Sequence, residues 1–362
     1  MQKVRLQDIA DDARVSVATV TRVIRGSASV SRDKQTQVES SILKLGYVVP
    51  LPQSRQTSCP PKLLGHIIHQ THQNMIFARL VDSINHFAAE SGYTVITDTV
   101  KDEHTAAEIL DRINKLRELG ACGIILTAIG GNDFRPLQSC FTNMAEPIVM
   151  VERIANVMGI NKVILNNSEG MYVAVQHLHS HGHRRIAYLA PDWDADVERQ
   201  RRAGYQSAMR AFSLDHEIFI PCELYSVEGG CRAFASWLKK NLMPTALIAN
   251  DTLLSGVQQY LYEHNLRVPD DISLVGMDDT WARLSSPPLT SLAFPEDEMA
   301  RTAVGMIVET LDTLHEKSTD ARKLPRTVAL STALIERQSV SAPRIDNFEH
   351  NGQVEACLAR GA

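Results

Sequence analysis

With 362 residues, 44% of them hydrophobic and 22% charged, the chain has the balance of a soluble globular protein of two or three domains. No apolar run approaches the roughly 20 residues of a membrane span, no secretory signal is expected from the opening MQKVRLQDIADDA, and six scattered cysteines form no CxxC pair. Membrane-embedded, secreted disulfide-rich, collagen-like and largely disordered classes are set aside, and a reduced, cytoplasmic setting is expected.

The net charge of −5 is divided along the chain. Residues 1–62 carry ten Lys or Arg against five Asp or Glu, and the remaining 300 carry 27 against 37. A basic head on an acidic body suits the head to a polyanion; an uneven solvated surface gives the same pattern.

In the head, Leu6, Ile9, Ala10 and Ala13 recur at helical spacing, with Asp8 where the helix dipole favours it. Ser16 is placed to cap a second short helix over 17–24, and Gly26 to stop it. Ser31 can cap a third helix over 32–45, whose Val38, Ile42 and Leu45 share a face and which Gly46 ends. Two short helices joined by a tight turn, with a third closing a small core, is the helix-turn-helix plan.

The four prolines and low apolar content of 49–61 read as a linker. Beyond it, short apolar runs at 64–68, 93–97, 123–126, 148–151, 162–165, 185–189, 245–249 and 272–276 predict strands. Helix-like stretches at 77–91, 106–119, 197–212, 229–240 and 253–264, and one ending near Gly182, lie between them. This βα alternation predicts parallel sheets with helices on both faces, in two lobes, with a ligand cleft at the carboxyl ends of the strands.

No enzyme is expected: GxGxxG after a strand, GxxxxGK[ST] and GxSxG are all missing from the sequence. Two histidine groups, His177, His179, His181 and His183, and His66, His69 and His72, have the look of metal tracts. No Cys or carboxylate completes a tetrahedral set at recognisable spacing, and His66 and His69 fall on opposite faces of a strand, so no metal is expected.

The stretches Leu6-Gln7-Asp8-Ile9-Ala10, Val15 to Ile24 and Leu45-Gly46-Tyr47 resemble the LacI/GalR family of transcriptional regulators. In register behind them come Asn74-Met75-Ile76-Phe77, Gly182-His183-Arg184-Arg185-Ile186-Ala187, Arg201-Arg202-Ala203-Gly204-Tyr205, Asn250-Asp251 and the run Val268 to Asp279. The resemblance spans roughly residues 3–340. It implies an α/β, two-lobed, periplasmic-binding-protein-like sensor of doubly wound parallel sheets behind a three-helix helix-turn-helix domain. The divisions expected are 1–48 for the DNA-binding domain, 49–62 for the hinge, 63–340 for the ligand-binding and dimerisation domain and 341–362 for a tail. That tail shows no leucine heptad, so tetramerisation through it is not expected.

Carried over residue by residue, the resemblance puts Val17, Ala18 and Arg22 at base edges in the major groove. Arg22 is able to donate two hydrogen bonds to a guanine, worth about 1–3 kcal/mol of discrimination. Arg5, Ser16, Thr19, Thr21, Arg25, Ser31 and Tyr47 would hold phosphates, and Arg32 adds charge. Arg201, Tyr225, Asn250 and Asp278 would contact an effector from the second lobe, and Gln70, Ile76, Phe77 and Thr127 would line the first. The partners implied are operator DNA, a second copy of the chain and a small-molecule effector of the sugar type, with no other cofactor.

Two departures stand out. Arg14 occupies the turn position where relatives keep glycine, which strains the turn if φ is positive there. The wedge leucine of the family's hinge helix falls by count on Gln56, with Pro50, Pro52 and Gln53 beside it, so weaker operator bending, or weaker coupling between effector and DNA, is expected. The leading reading is a dimeric, effector-controlled DNA-binding regulator, with repression favoured. The alternative is a ligand sensor whose DNA function is weakened by the atypical hinge. A free-standing binding module is disfavoured by the basic head.

Overall fold

A computed structural model describes residues 4–24, 30–47, 62–69, 75–100, 105–127, 135–152, 157–192, 196–214, 216–315 and 324–344. The linker reading and the comments on Pro50, Pro52, Gln53 and Gln56 lie outside these residues, as do Arg25, Gly26, Gln70 and His72.

The head has three helices: α1 (Leu6–Asp12), α2 (Val17–Ile24) and α3 (Arg32–Leu45). Their packed faces supply Ile9, Ala10, Val20, Val38 and Ile42, all buried. Ser16 Oγ accepts from the Thr19 amide at 3.2 Å, the expected cap of α2. Ser31 stands at the N-cap of α3 in extended conformation but makes no side-chain cap bond, so α3 starts on its backbone geometry alone. Gly46 ends α3 in the left-handed region, with φ +65°.

The turn after α1 closes with Val15 N–H donating to Ala10 O at 3.0 Å, which requires a left-handed residue between them. That residue is Arg14, at φ +53°, where a Cβ crowds the following carbonyl. Arg14→Gly is therefore expected to stabilise the head by roughly 0.5–1 kcal/mol, the left-handed cost less the extra freedom glycine gains when unfolded. A rise in the midpoint of helix loss, followed by circular dichroism of the full chain, checks it.

The chain, head included, divides into two compact units, each built on an α/β sheet. The first unit, Met1–Thr71, Arg79–Ile164 and Asp297–Ala329, holds a sheet of order β11-β5-β4-β3-β1-β2. Its strands are β1 (Leu63–His69), β2 (Thr94–Val100), β3 (Gly123–Thr127), β4 (Ile148–Glu152), β5 (Asn161–Leu165) and β11 (Thr327–Leu330). The pairings of β1 with β2 and β3, and of β4 with β3 and β5, are parallel. Helices α4 (Met75–Glu90), α5 (Ala106–Glu118), α6 (Gln138–Asn143) and α11 (Glu296–His315) accompany the sheet. Thr105 caps α5 by accepting from Glu108 N–H at 3.2 Å.

The head belongs to this first unit. Its buried residues join one apolar cluster with Leu137, Cys140, Phe141 and Met144, and Asn143 Nδ2 donates to Gly46 O at 2.9 Å. Composition and periodicity gave no sign of that junction.

The second unit, His72–Ala78, Leu165–Glu296 and Leu330–Ala362, holds a sheet of order β12-β10-β9-β8-β6-β7. Its strands are β6 (Ile186–Pro191), β7 (Ile218–Cys222), β8 (Ala246–Ile248), β9 (Ser273–Gly276), β10 (Thr290–Ala293) and β12 (Ala333–Ile335). All its pairings are parallel except that of β12 with β10, an antiparallel edge. Between strands run α7 (Asn167–Ser180), α8 (Asp196–Ala211), α9 (Val227–Leu238) and α10 (Asp251–Glu263). Gly204 permits the close approach of α8 to α7, since a Cβ there would lie 2.2 Å from Ser168 O.

Among the described residues no helix is long and apolar enough to cross a membrane, and no group of three His, Cys, Asp or Glu is placed to hold a metal ion. Two histidines of these tracts, His183 and His66, take structural places. His183 hydrogen-bonds Thr245 at 3.0 Å, Ser273 at 3.0 Å and Ser341 O at 2.8 Å, and burial lowers its pKa to about 4. His66 lies wholly buried in β1 with Nε2 2.8 Å from Thr127 Oγ1, and burial lowers its pKa to about 3.

Candidate functional site

Two groups of candidate residues can be followed onto the fold. In the head, Val20 turns inward from α2 while Ala18 and Arg22 stand exposed on the opposite side, and Val17 is half-buried at the first helical position. A short helix with a buried apolar stripe and an exposed arginine and small side chain has the shape and chemistry to enter a major groove. Arg5, Ser16, Ser31 and Arg32 are exposed, and Thr19 and Thr21 are half-buried. Ser16 Oγ lies 2.9 Å from Thr19 Oγ1, and Thr21 Oγ1 donates back to Val17 O at 2.9 Å, so these hydroxyls already have partners within the head. Tyr47 is buried at 8% exposure in the head's cluster, and burial raises its pKa. Its ring therefore closes the core, whatever its hydroxyl meets.

In the second unit, polar side chains gather where the parallel strands end, the usual ligand edge of such sheets. Asn250 follows β8, Asp278 follows β9, Tyr225 follows β7, and Arg201 sits on α8 after β6. Asn250 is the N-cap of α10: its Oδ1 accepts from Leu253 N–H at 3.0 Å, which leaves Nδ2 to donate to Asp278 Oδ2 at 2.5 Å. The helix cap thus fixes which end of the amide faces the carboxylate.

Arg201 donates from Nε to Asn167 Oδ1 at 3.2 Å and from Nη1 to Glu198 Oε1 at 3.0 Å. Glu198 lies one turn earlier on α8, the spacing that puts both side chains on one face. Its other oxygen accepts the phenol proton of Tyr188, from β6, at 2.6 Å. Burial alone would lower the Arg201 pKa, but Glu198, followed by Tyr188, Asp278 and Tyr225, drives it above the ordinary guanidinium range. Burial, reinforced by Asp251, pushes the Asp278 carboxyl up to about 6 against the opposing pull of Arg201 and Asn250. Burial and the nearby Asp278 raise the phenol of Tyr225 as well.

Asp251 organises the loop behind Asp278. Its Oδ2 accepts from the backbone N–H groups of Thr280, Trp281 and Ala282 at 2.8, 3.0 and 3.2 Å. Asp279, at φ +51°, pairs with Arg337 at 2.6 Å.

The structure therefore gathers Arg201, Asn250 and Asp278 at one edge of one sheet. Ile76 and Phe77, buried at the start of α4, belong to the same unit, whereas Thr127 lies in the first unit, wholly buried against His66. Glu198 and Tyr188 were missed by the sequence reading. The Glu-x-x-Arg spacing was visible, but nothing local shows that a tyrosine of β6 meets it.

Comparison with known proteins agrees with this layout. Residues 5–49 match the model of the bacterial regulatory proteins of the lacI family, and residues 175–340 match a periplasmic binding protein-like domain. The ribose operon repressor of Haemophilus influenzae is 26% identical over 92% of this chain and 98% of its own length. The transcriptional repressor PurR of Vibrio campbellii is 27% identical over 86% and 93%. Among solved structures, a transcriptional regulator CelR–cellobiose complex superposes with a TM-score of 0.67 at 25% identity, covering 93% of this chain and all of that one. A lac repressor dimer bound to operator, at 24% identity and a TM-score of 0.65, shares the fold. These relatives are regulators of transcription and not enzymes. The head thus matches the model of the lacI family of bacterial regulatory proteins and the body a periplasmic binding protein-like model, and the relatives aligned across both are repressors of transcription.

Proposed function

We propose that this chain is a cytoplasmic, homodimeric repressor whose operator affinity is set by a sugar or sugar derivative held by Arg201, Asn250, Asp278 and Tyr225. The observation that carries the effector half is the buried set of an amide, a guanidinium and a carboxylate at strand ends, beside an aromatic ring. Amide and carboxylate pairs share hydroxyl groups, and a ring covers the apolar face of a sugar. The cellobiose-bound structure and the ribose operon repressor among its relatives support that class. Ile76, Phe77, Thr127 and Gln70 complete the proposed effector set. An effector of this kind works only through its different affinity for the two arrangements of the protein.

The DNA half rests on α2. Val17, Ala18 and Arg22 read base edges, and Arg5, Ser16, Thr19, Thr21, Arg25, Ser31 and Tyr47 position the head on phosphates. The divisions proposed are a DNA-binding domain over 1–48, a hinge over 49–62, a sensor over 63–340 and a tail over 341–362. Selection of bound DNA from a random pool, followed by fluorescence anisotropy against salt, tests the reading. A two-fold symmetric site and a steep salt slope are expected. Arg22→Ala should cost about 1–3 kcal/mol in each half-site and relax the preference at one base pair. Binding without sequence preference in the wild type would overturn the regulator reading in favour of a sensor with lost DNA function.

A further inference from the structure

Arg201 is the one residue of the proposed effector set with a permanent positive charge, and the fold has already balanced it. Glu198 meets it at 3.0 Å, and the two side chains are 13% and 11% exposed. Glu198 is itself held: Tyr188 donates to its second oxygen at 2.6 Å, and Tyr188 is fixed in β6 at 0% exposure. The carboxylate is thus a built-in counter-ion. The other charged member of the set, Asp278, is acidic and 4% exposed, and Asp251 beside it is acidic too.

Resting on the effector reading above, we infer that Glu198 is a specificity-determining residue that cancels the charge of Arg201, so that this site takes an uncharged polyhydroxylated or an amine-bearing molecule and rejects phosphorylated and carboxylated ones. Two bonds, to Asn167 and Glu198, occupy part of the five-donor guanidinium fork. The remaining N–H groups are hydrogen-bond donors without net charge to offer. A hydroxyl between them and the Asp278–Asn250 pair accepts from one side and donates to the other. A phosphate placed there meets a neutralised guanidinium and the carboxylate of Asp278, and it loses its hydration for no counter-charge. An ammonium group on the ligand finds Asp278 as its partner. The high Asp278 pKa fits a carboxyl short of positive charge.

The test uses the full-length protein and inorganic phosphate as the probe, against chloride at equal ionic strength, with thermal unfolding followed by tryptophan fluorescence. Wild type should unfold at the same temperature in both buffers. Glu198→Gln frees the charge of Arg201; its midpoint should drop in chloride and recover by roughly 2–4 °C in phosphate. Adding Arg201→Gln should abolish the recovery. If Glu198→Gln does not fold, Glu198→Met, uncharged and of similar volume, takes its place with the same expectation. Phosphate protection of wild type that Arg201→Gln removes would overturn the inference, as would a folded Glu198 variant indifferent to phosphate. Either result leaves the DNA-selection experiment untouched. Loss of sequence-specific DNA binding would likewise leave the phosphate result standing.

Discussion

Arg201→Ala is expected to cost the second unit about 3–5 kcal/mol of folding stability before any effector is added, because it leaves a buried carboxylate without its cation. Among the described residues, Glu198, at 11% exposure, would retain the Tyr188 hydroxyl alone, and Asn167 Oδ1 would lose its donor. Asp278 would lose the positive charge that now opposes the rise of its pKa. The described tryptophans, Trp237 and Trp281, fall within the second unit. Urea unfolding followed by tryptophan fluorescence therefore reads this unit rather than the head.

A loss below about 1 kcal/mol would mean that the pair behaves as a screened surface bridge. The double variant Glu198→Leu with Arg201→Met should recover most of the loss, since apolar side chains of similar volume replace buried pairs at little cost. The double variant separates stability from signalling. It restores the fold, yet DNA binding should no longer respond to effector, because the guanidinium donors are gone.

Much of this architecture was legible in the sequence because its cause is local. Apolar periodicity placed α1, α2 and α3 and most of the strands that bear the site, and Gly46 announced its left-handed cap. What escaped is held by distant partners. β10 and β12 are four- and three-residue strands held by distant partners, β10 by β9 on one side and by β12 on the other, at Ser291 to Ile335 and Leu292 to Leu334. β12, where no strand was expected, joins the otherwise parallel sheet as an antiparallel edge. No element was assigned to α11, although Met299, Ala300, Ala303, Val304, Ile307 and Leu311 recur at helical spacing and are all buried.

The site divides in the same way. Arg201, Asn250 and Asp278 came from resemblance, and nothing in composition or spacing singled them out. Their chemistry became readable only with the partners in place. Asn250 is a helix cap as well as a donor to Asp278, Asp251 is a clamp on the 280–282 backbone, and Glu198 turns a positive side chain into a neutral donor pair. Thr127 shows the reverse: a residue expected in the effector lining is first of all the partner of a buried histidine.

Asp278→Asn should make the effector-free protein more stable above neutral pH while destroying its response to effector. In the unfolded chain this carboxyl has its ordinary value of 3.8, and in the fold burial and Asp251 raise it to about 6. A raised carboxyl pKa means that the folded state holds the proton more tightly than the unfolded one. Its contribution to stability is then fully present below about pH 4 and is lost as pH climbs through 6. The gap between the two values corresponds to about 3 kcal/mol by pH 7 and above. Asparagine keeps an oxygen to accept from Asn250 Nδ2 but carries no charge to bury. The stability difference between variant and wild type should therefore be near zero at pH 4, grow between 4 and 6, and level off above 7. His183, whose pKa burial lowers to about 4, titrates in the opposite sense over an overlapping range. It is common to both proteins and drops out of the difference. The Asp251 carboxylate acts on Asp278 through its charge, so the rise belongs to the pair and should be broader than a single titration. Urea midpoints of the two proteins measured from pH 4.5 to 8 give the curve. A flat difference would show that Asp278 is ionised without penalty in the free protein, and that the second unit stores no strain at this carboxylate for an effector to relieve.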